Sequence, residues 1–164
     1  DDLECDIIHH NIADKPIYEA LSYTWATQQG DVSLSQSIAC GDTGEKIPIP
    51  KNCDAALRYL RLKGSQRVLW VDAICINQHD VPEWSHQVNF MGTIYSSASQ
   101  VLMFLGHQSH DDDEVLCYLD GAPLSRQKRD SKPEKLAVQR FIKRRYFDRV
   151  WTLQEIALAK LVTL

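Results

Sequence analysis

The chain has 164 residues, 44% of them hydrophobic, and a formal net charge of −4. This composition is typical of one globular domain with its own hydrophobic core. Without a basic excess, nucleic acid is not the expected partner, and no apolar run of about 18 residues could span a membrane. The five scattered cysteines contain no C-x-x-C pair, which indicates reduced thiols of a cytosolic or nuclear protein rather than a disulfide framework, and we expect a cytoplasmic location.

The N-terminal third of the chain predicts short strands followed by a helix. The stretches LECDII and YEALSYTW show the partial alternation of polar and apolar residues that is typical of strands. The stretches VSLSQSIAC and IPIP, which flank the turn GDTGEK, predict a β-hairpin. Asn52 is placed to cap the helix that follows, which we expect to continue to about Leu62.

The rest of the chain alternates strands with helices. RVLWV predicts a central buried strand and QVLMFLG a second buried one. Asp80, with Glu83 three residues later, has the pattern of a capping box for a helix that extends to about Ala98. Three further helices are predicted, over residues 111–119, 136–144 and 147–159. A polar loop, GAPLSRQKRDSKPEK, separates the first two of these, and a strand within AKLVTL ends the chain.

This alternation predicts an α/β fold, a mainly parallel sheet flanked by helices with an added N-terminal β-hairpin. Polar segments follow two of its strands, since SYTWATQQ follows the strand that ends near Leu21 and DAICINQ follows RVLWV. Ligands in open α/β sheets bind beyond the carboxyl ends of the strands, so we expect both segments to face one crevice. The candidate ligand-binding side chains are Ser22, Tyr23, Trp25, Asp72, Asn77 and Gln78.

Two interpretations of the polar residues in DAICINQ are compatible. Their side chains either hold the loop by bonding its buried backbone groups or contact a ligand directly. Cys75 within this loop could be a nucleophile with His79 or His86 as its base. Its neighbours Ile74 and Ile76 favour the alternative, a small buried side chain without reactivity, because reactive thiols need exposure and positive surroundings.

The run HQSHDDDE at residues 107–114 contains side chains that bind metals, but it lacks a recognised zinc spacing. Acidic residues at the start of a helix explain it more simply, because they interact favourably with the helix dipole. The sequence therefore predicts no metal site.

The run RRYFDRVWTLQEIALA is the second informative stretch. On a helix, a broad apolar face would be shared by Phe147, Val150, Trp151, Gln154 and Leu158. Trp151 precedes Glu155 by four residues, so the indole can lie over the carboxylate and desolvate it, which suits acid–base chemistry. Alternatively, Glu155 forms a salt bridge with Arg149 or Arg145, or faces water.

Four blocks, YEALSYTW, LWVDAICINQ, QVNFMGTIYSSASQVLMFLG and RYFDRVWTLQE, occur in this order between Tyr18 and Glu155. Together they resemble the fungal heterokaryon-incompatibility (HET) domain. We therefore expect residues 1–164 to form a single HET domain, with core motifs over 18–155, that belongs to a longer multidomain protein. The chain departs from the family pattern at Ala26, where Gly is usual, and at Trp84, where an Arg would place a cation near Asp72 or Glu155.

The resemblance implies an effector module of fungal nonself recognition that triggers programmed cell death. The HET family is distantly similar to Toll/interleukin-1 receptor (TIR) domains, which implies a TIR-like (flavodoxin-like) fold. Many TIR domains cleave NAD at the nicotinamide–ribose bond with the Glu of a Trp-x-x-x-Glu helix. By this similarity Glu155 is the catalytic acid, Trp151 is the wall beside it, and NAD is a substrate rather than a bound cofactor.

Two hypotheses about function remain open. The first is an NAD nucleosidase (glycohydrolase) activated by self-association, in which a carboxylate stabilises an oxocarbenium-like transition state. The second is a non-catalytic signalling module that acts through homotypic contacts or through contacts with other incompatibility or NLR-like proteins. The sequence lacks a glycine-rich dinucleotide fingerprint, which argues against a Rossmann redox enzyme but leaves both hypotheses standing.

Overall fold

The computed structural model describes residues 2–42, 44–107, 109, 112–119 and 133–164. The predicted polar loop at residues 121–135 lies outside these ranges apart from its last three residues. Within the described ranges the strands are β1 (Glu4–Cys5), β2 (Glu19–Tyr23), β3 (Gln36–Cys40), β4 (Glu45–Ile49), β5 (Leu69–Trp70), β6 (Val101–Phe104) and β7 (Val162–Thr163). The α-helices there are α1 (Lys51–Leu60), α2 (Asp72–Cys75), α3 (Val81–Ser97), α4 (Asp112–Leu119), α5 (Lys135–Ile142) and α6 (Val150–Ala157).

The larger sheet has four parallel strands in the order β5-β2-β6-β7. Numbered by their order along the chain, the strands of this sheet follow the pattern 2-1-3-4. Strands β2 and β6 are central and end together, because Tyr23 is in register with Phe104. The predicted α/β fold with a mainly parallel sheet is therefore confirmed at this level.

The prediction that RVLWV forms a central strand is wrong, because β5 pairs only with β2 and lies at the edge of the sheet. Leu69 packs against the core on one face of the sheet, and Trp70 packs against the core on the other. The apolar run therefore reflects burial on both faces rather than a central position.

The predicted hairpin is confirmed as β3 and β4, which pair antiparallel. Its turn includes Gly41 and Gly44, both at φ +65°, a backbone conformation that glycine adopts without steric cost. Strand β1 pairs parallel with β3, so the hairpin belongs to a separate three-stranded sheet in the order β1-β3-β4.

The parallel sheet is covered on both faces. On one face, Leu21 and Tyr23 share a core with Ile38 and Ile49 of the smaller sheet and with Ala56 of α1. On the opposite face, a second core contains Ala20, Tyr95, Ala98 and Val101. A third cluster joins α4 and α5 through Val115, Ala137 and Phe141.

Two of the predicted helix starts differ from expectation. Pro50 rather than Asn52 occupies the N-cap position of α1, and the Asn52 amide is buried, where it donates to the Thr24 carbonyl at 2.7 Å. Asp80 does cap α3, because its carboxylate accepts from the Glu83 amide at 3.0 Å. Glu83 does not complete the box, since its carboxylate accepts from the Asn77 amide.

The helices near the C-terminus are shorter than predicted. A 3₁₀ turn over Arg145–Asp148 separates α5 from α6, so the predicted helix over 147–159 begins at Val150. None of the helices described here is long and apolar enough to cross a membrane.

Candidate functional site

The candidate site lies at the carboxyl ends of β2 and β6, where α6 packs against β2. Strand β2 brings Ser22 to this position, and α6 brings Glu155 from 133 residues further along the chain. The direction in which successive strands follow one another reverses between β2 and β6, because the next strand in the chain, β5, lies on one side of β2 and the one after it, β6, lies on the other. Such reversal points are where open parallel sheets form crevices that bind ligands.

Glu155 is buried, with 3% of its surface exposed, and its carboxylate is hydrogen-bonded. The Ser22 hydroxyl donates to Glu155 Oε2 at 2.5 Å. The hydroxyls of Ser22 and Tyr146 are 2.6 Å apart. Because the single Ser22 proton points to the carboxylate, Tyr146 donates to Ser22, and the three groups form one chain of hydrogen bonds.

Burial raises the pKa of Glu155, and the charge of Asp72 raises it further. The hydrogen bond from Ser22 and the positive charge of Arg149 act in the opposite direction. The pKa of Asp72 is also raised by burial, while its hydrogen bond from the Trp25 indole, at 2.8 Å, lowers it. The site therefore holds two acidic groups whose environment favours their neutral forms.

Arg149 is the cation that faces both acidic groups. Its guanidinium donates to the Tyr23 carbonyl at the end of β2, and its charge lowers the pKa of both Asp72 and Glu155. The predicted alternatives for Glu155, a salt bridge or exposure to water, are both wrong, because the carboxylate is buried and bonds to Ser22 instead. Trp84, where the family pattern would place an Arg, is 44% exposed on α3.

Two tyrosines complete the buried surroundings. The Tyr95 hydroxyl, from α3, donates to the Leu21 carbonyl at 3.0 Å. The Tyr23 hydroxyl is buried and makes no hydrogen bond of good geometry within the described chain. Burial, followed by the nearby Asp72 carboxyl and the Cys53 thiol, raises the pKa of Tyr23 well above its ordinary value.

Cys75 has the features of a packed thiol rather than a nucleophile. Its sulfur accepts a hydrogen bond from the Val71 amide at 3.4 Å, and burial raises its pKa. A raised pKa reduces the thiolate fraction that nucleophilic attack requires. Both proposed bases, His79 and His86, are exposed to solvent.

Asn77 and Gln78 lie in an exposed loop, whereas Glu155 is buried. The Asn77 side chain accepts from the His79 amide at 3.1 Å, and the Gln78 side chain donates to the Asp72 carbonyl at 3.2 Å. These contacts hold the loop that follows β5. The structure thus brings Ser22, Tyr23, Trp25 and Asp72 together near Glu155, and it does not bring Asn77 and Gln78 there.

Helix α6 buries polar side chains and exposes apolar ones, which is the reverse of the usual amphipathic pattern. Thr152 and Glu155 are buried, whereas Val150, Trp151 and Leu153 are 78%, 51% and 66% exposed. The apolar face predicted from spacing therefore points largely to solvent, because β2 presents the hydroxyl of Ser22 to this helix. Trp151 and Glu155 line one cleft against α3, which is too narrow in this structure to hold a water molecule.

An open pocket of about 260 Å³ lies next to this network. It is lined by Thr24, Trp25, Ala26, Val32, Arg145, Asp148 and Arg149. The sequence analysis did not assign Arg145, Tyr146 or Arg149 to a ligand site, although all three lie in the block RYFDRVWTLQE. Helical spacing could not assign them, because the 3₁₀ turn over Arg145–Asp148 changes the direction in which these side chains point.

The metal-capable run at residues 107–114 lies partly outside the described residues. Its Asp112 is buried, accepts from the Ser109 amide at 2.6 Å and pairs with Arg144. This carboxylate therefore connects the start of α4 to the segment between α5 and the 3₁₀ turn.

Comparison with known proteins places these features in a family. Residues 18–155 match the sequence model described as heterokaryon incompatibility protein (HET). No solved structure matches the chain. One fungal relative is heterokaryon incompatibility protein 6, OR allele, of Neurospora crassa, 38% identical over 123 residues that cover 71% of this chain and 18% of the relative.

A second relative is vegetative incompatibility protein HET-E-1 of Podospora anserina, 27% identical over 141 residues. That match covers 86% of this chain and 9% of the relative, so the chain spans less than a fifth of either protein. The family match includes β2, the loop after β5, and α6 as far as Glu155. The chain therefore belongs to the heterokaryon incompatibility (HET) family.

Proposed function

We propose that this domain is an effector of fungal incompatibility that triggers cell death by cleaving NAD at the nicotinamide–ribose bond, with Glu155 as its acidic group. The relatives named as incompatibility proteins support the biological role. The observation that carries the chemistry is the buried Glu155 carboxyl, held by Ser22 at the carboxyl end of β2. Acidic groups with a raised pKa in a crevice are characteristic of active sites.

The topology of the parallel sheet supports the proposed relation to TIR domains. Its strand order 2-1-3-4 equals the first four strands of the flavodoxin-like order. In that arrangement, ligands bind at the reversal between the first and third strands, which here are β2 and β6. Ser22 and Glu155 meet at this place.

The proposed reaction requires no proton for the leaving group. The bond between the ribose carbon and the nicotinamide nitrogen breaks, and its electron pair neutralises the pyridinium ring. Positive charge then develops on the ribose, and an ionised Glu155 beside it stabilises that charge. Water adds to the ribose carbon and releases a proton. The cationic ring of bound NAD favours the ionised form of Glu155, which offsets the effect of burial.

Access to Glu155 requires a rearrangement, because the cleft beside Trp151 is closed to water. The cleft lies between α3 and α6, so a small separation of these helices would open it. Self-association through the exposed side chains of α6 is our proposed cause of this opening. Closed and open forms would then differ in activity as well as in assembly.

Nicotinamide release from NAD by concentrated, assembled protein tests the proposal directly. We expect Glu155→Gln to reduce the rate at least about 100-fold, because it keeps the size of the side chain and removes its charge. Glu45→Gln on the exposed surface of β4 is the matched control and should retain the wild-type rate. The proposal fails if assembled wild type releases no nicotinamide, or if folded Glu155→Gln is equally active.

A second candidate function is a non-catalytic module that signals by contact with other proteins. The observation that favours it is the exposure of Val150, Trp151 and Leu153 on one helix, an unusual set of apolar side chains to leave in water. In fungal cells, this function predicts that Leu153→Glu abolishes cell death and that Glu155→Gln does not. The enzymatic function predicts loss of cell death with Glu155→Gln as well.

A further inference from the structure

The bond cleavage proposed at Glu155 assigns no task to the pocket of about 260 Å³ between the segment Thr24–Ala26 and the 3₁₀ turn. This pocket is here named the Arg145–Arg149 pocket. It lies beside the acidic network rather than within it. Arg149 belongs to both, because it lines the pocket and its charge acts on Glu155. Thr24 lies two residues beyond Ser22 on the same segment, a separation of about 7 Å in extended chain.

The guanidinium of Arg145 lies at this pocket. It lies against Gly30, where an added Cβ would come within 3.1 Å of Nη2. Gly30 has φ +89° in a turn closed by its amide and the Thr27 carbonyl at 2.8 Å, so the turn leaves room for the guanidinium. No residue in the described part of the chain accepts a hydrogen bond from this guanidinium, which has five N–H donors.

The charges that face the pocket give an excess of one positive charge. Arg145 and Arg149 supply two, and the carboxylate of Asp148 removes one. Arg149 is oriented by its bond to the Tyr23 carbonyl, so less conformational entropy is lost when it binds a ligand. The Trp25 indole forms a flat wall and is fixed by its bond to Asp72 at 2.8 Å. Planar guanidinium groups beside an aromatic wall suit phosphate oxygens linked to a sugar or base.

We infer that the Arg145–Arg149 pocket binds the diphosphate group of a dinucleotide, an inference that rests on the proposed cleavage of NAD. In NAD one ribose separates the bond to be cleaved from the diphosphate, which matches the two-residue separation between Ser22, which bonds Glu155, and Thr24, which lines the pocket. A volume of about 260 Å³ is below the roughly 300–1,000 Å³ of sites that enclose a whole ligand. The pocket therefore holds the diphosphate and leaves the rest of the dinucleotide outside.

Calorimetric titration with ADP-ribose, inorganic pyrophosphate and adenosine tests this inference without any reaction. We expect the first two to bind wild type and adenosine not to bind, because only the phosphates contact the arginines. Arg145→Gln should weaken both complexes about tenfold or more, as expected for loss of charged hydrogen bonds. Lys143→Gln is the matched control, since it removes the same charge two residues away on an exposed position outside the pocket.

The Arg145 side chain is exposed and bonds to no described residue, so its substitution leaves the fold intact, which thermal unfolding verifies. Equal affinity of wild type and Arg145→Gln, or no affinity of wild type for either phosphate ligand, overturns the inference even if NAD is cleaved. Binding that depends on Arg145 in a protein that releases no nicotinamide supports the pocket and overturns the proposed reaction. Loss of nicotinamide release in Glu155→Gln with ADP-ribose binding retained supports both.

Discussion

Glu155 occupies a costly position for a carboxyl group, since it is buried, and the Ser22 hydroxyl donates to it. Transfer of an ionised carboxylate from water to such a site is unfavourable unless other groups compensate. Ser22 and the charge of Arg149 compensate in part, and Asp72 adds repulsion. The pKa of Glu155 remains raised, which makes the stability of the domain depend on pH.

The substitution Glu155→Gln should stabilise the domain increasingly as pH rises. Burial holds the pKa of Glu155 above its ordinary value of 4.5, so its contribution to stability is complete below that pH and is lost as pH rises through the folded-state pKa. Gln has no proton to lose. Above the folded-state pKa, the free energy of unfolding of the variant should exceed that of wild type by about 1.4 kcal/mol more than at low pH, for each unit by which folding raises the pKa of Glu155.

Urea unfolding of both proteins at about pH 4 and pH 7 measures this difference. Asp72, whose pKa is also raised by burial, is present in both proteins, so its own contribution largely cancels. Glu45→Gln should stay within about 0.5 kcal/mol of wild type at both values, as exposed substitutions do. A difference between Glu155→Gln and wild type that falls as pH rises would contradict the raised pKa.

At the scale of elements, β1 is short, and its position rests on pairing with β3. The pairing places Cys5 opposite Cys40, and both residues are half-buried. Burial, followed by the neighbouring Cys40 thiol, raises the pKa of Cys5 to about 12. Paired strands are about 4.8 Å apart, within the range of Cα separations that a disulfide bridges.

Mild oxidation with diamide should therefore join Cys5 to Cys40, with two electrons and two protons passing to the oxidant. Peptide mapping under non-reducing conditions identifies the linked pair, and Cys40→Ser should remove it. Cys75 also raises the pKa of Cys5, so it is near enough to compete with Cys40 for a disulfide with Cys5. A dominant bond between Cys5 and Cys75 would show that β1 does not keep this register.

The sequence predicted those elements whose pattern is local. The hairpin followed from its glycine turn, and α3 from Asp80 and the apolar spacing behind it. The prediction that Asn52 caps α1 was wrong because a side chain suited to capping can instead bond to a residue distant in sequence, here the Thr24 carbonyl. The orientation of α6 depends on Ser22, which no periodicity within the helix could reveal. Glu155 was selected by its spacing from Trp151 and by the family motif, and neither pattern indicated that Ser22 holds its carboxylate.

At the scale of the whole molecule, the two sheets depend on one core. Ile38 and Ile49 of the smaller sheet pack in the same cluster as Leu21 and Tyr23 of the larger one. The hairpin, predicted as an addition to the parallel sheet, therefore covers one of its faces. Tyr23 belongs both to this core and to the candidate site, so the stability of the hairpin bears on the geometry around Asp72.

Ile49→Ala should destabilise both sheets together by about 2–5 kcal/mol, because Ile49 is fully buried in the shared core. Far-ultraviolet circular dichroism and tryptophan fluorescence should give one coincident transition in urea, shifted to lower concentration. Ile17→Ala, at a position that is 86% exposed, is the matched control and should change stability by less than about 0.5 kcal/mol. Two separate transitions in Ile49→Ala would show that the smaller sheet unfolds on its own and that the core does not couple the sheets.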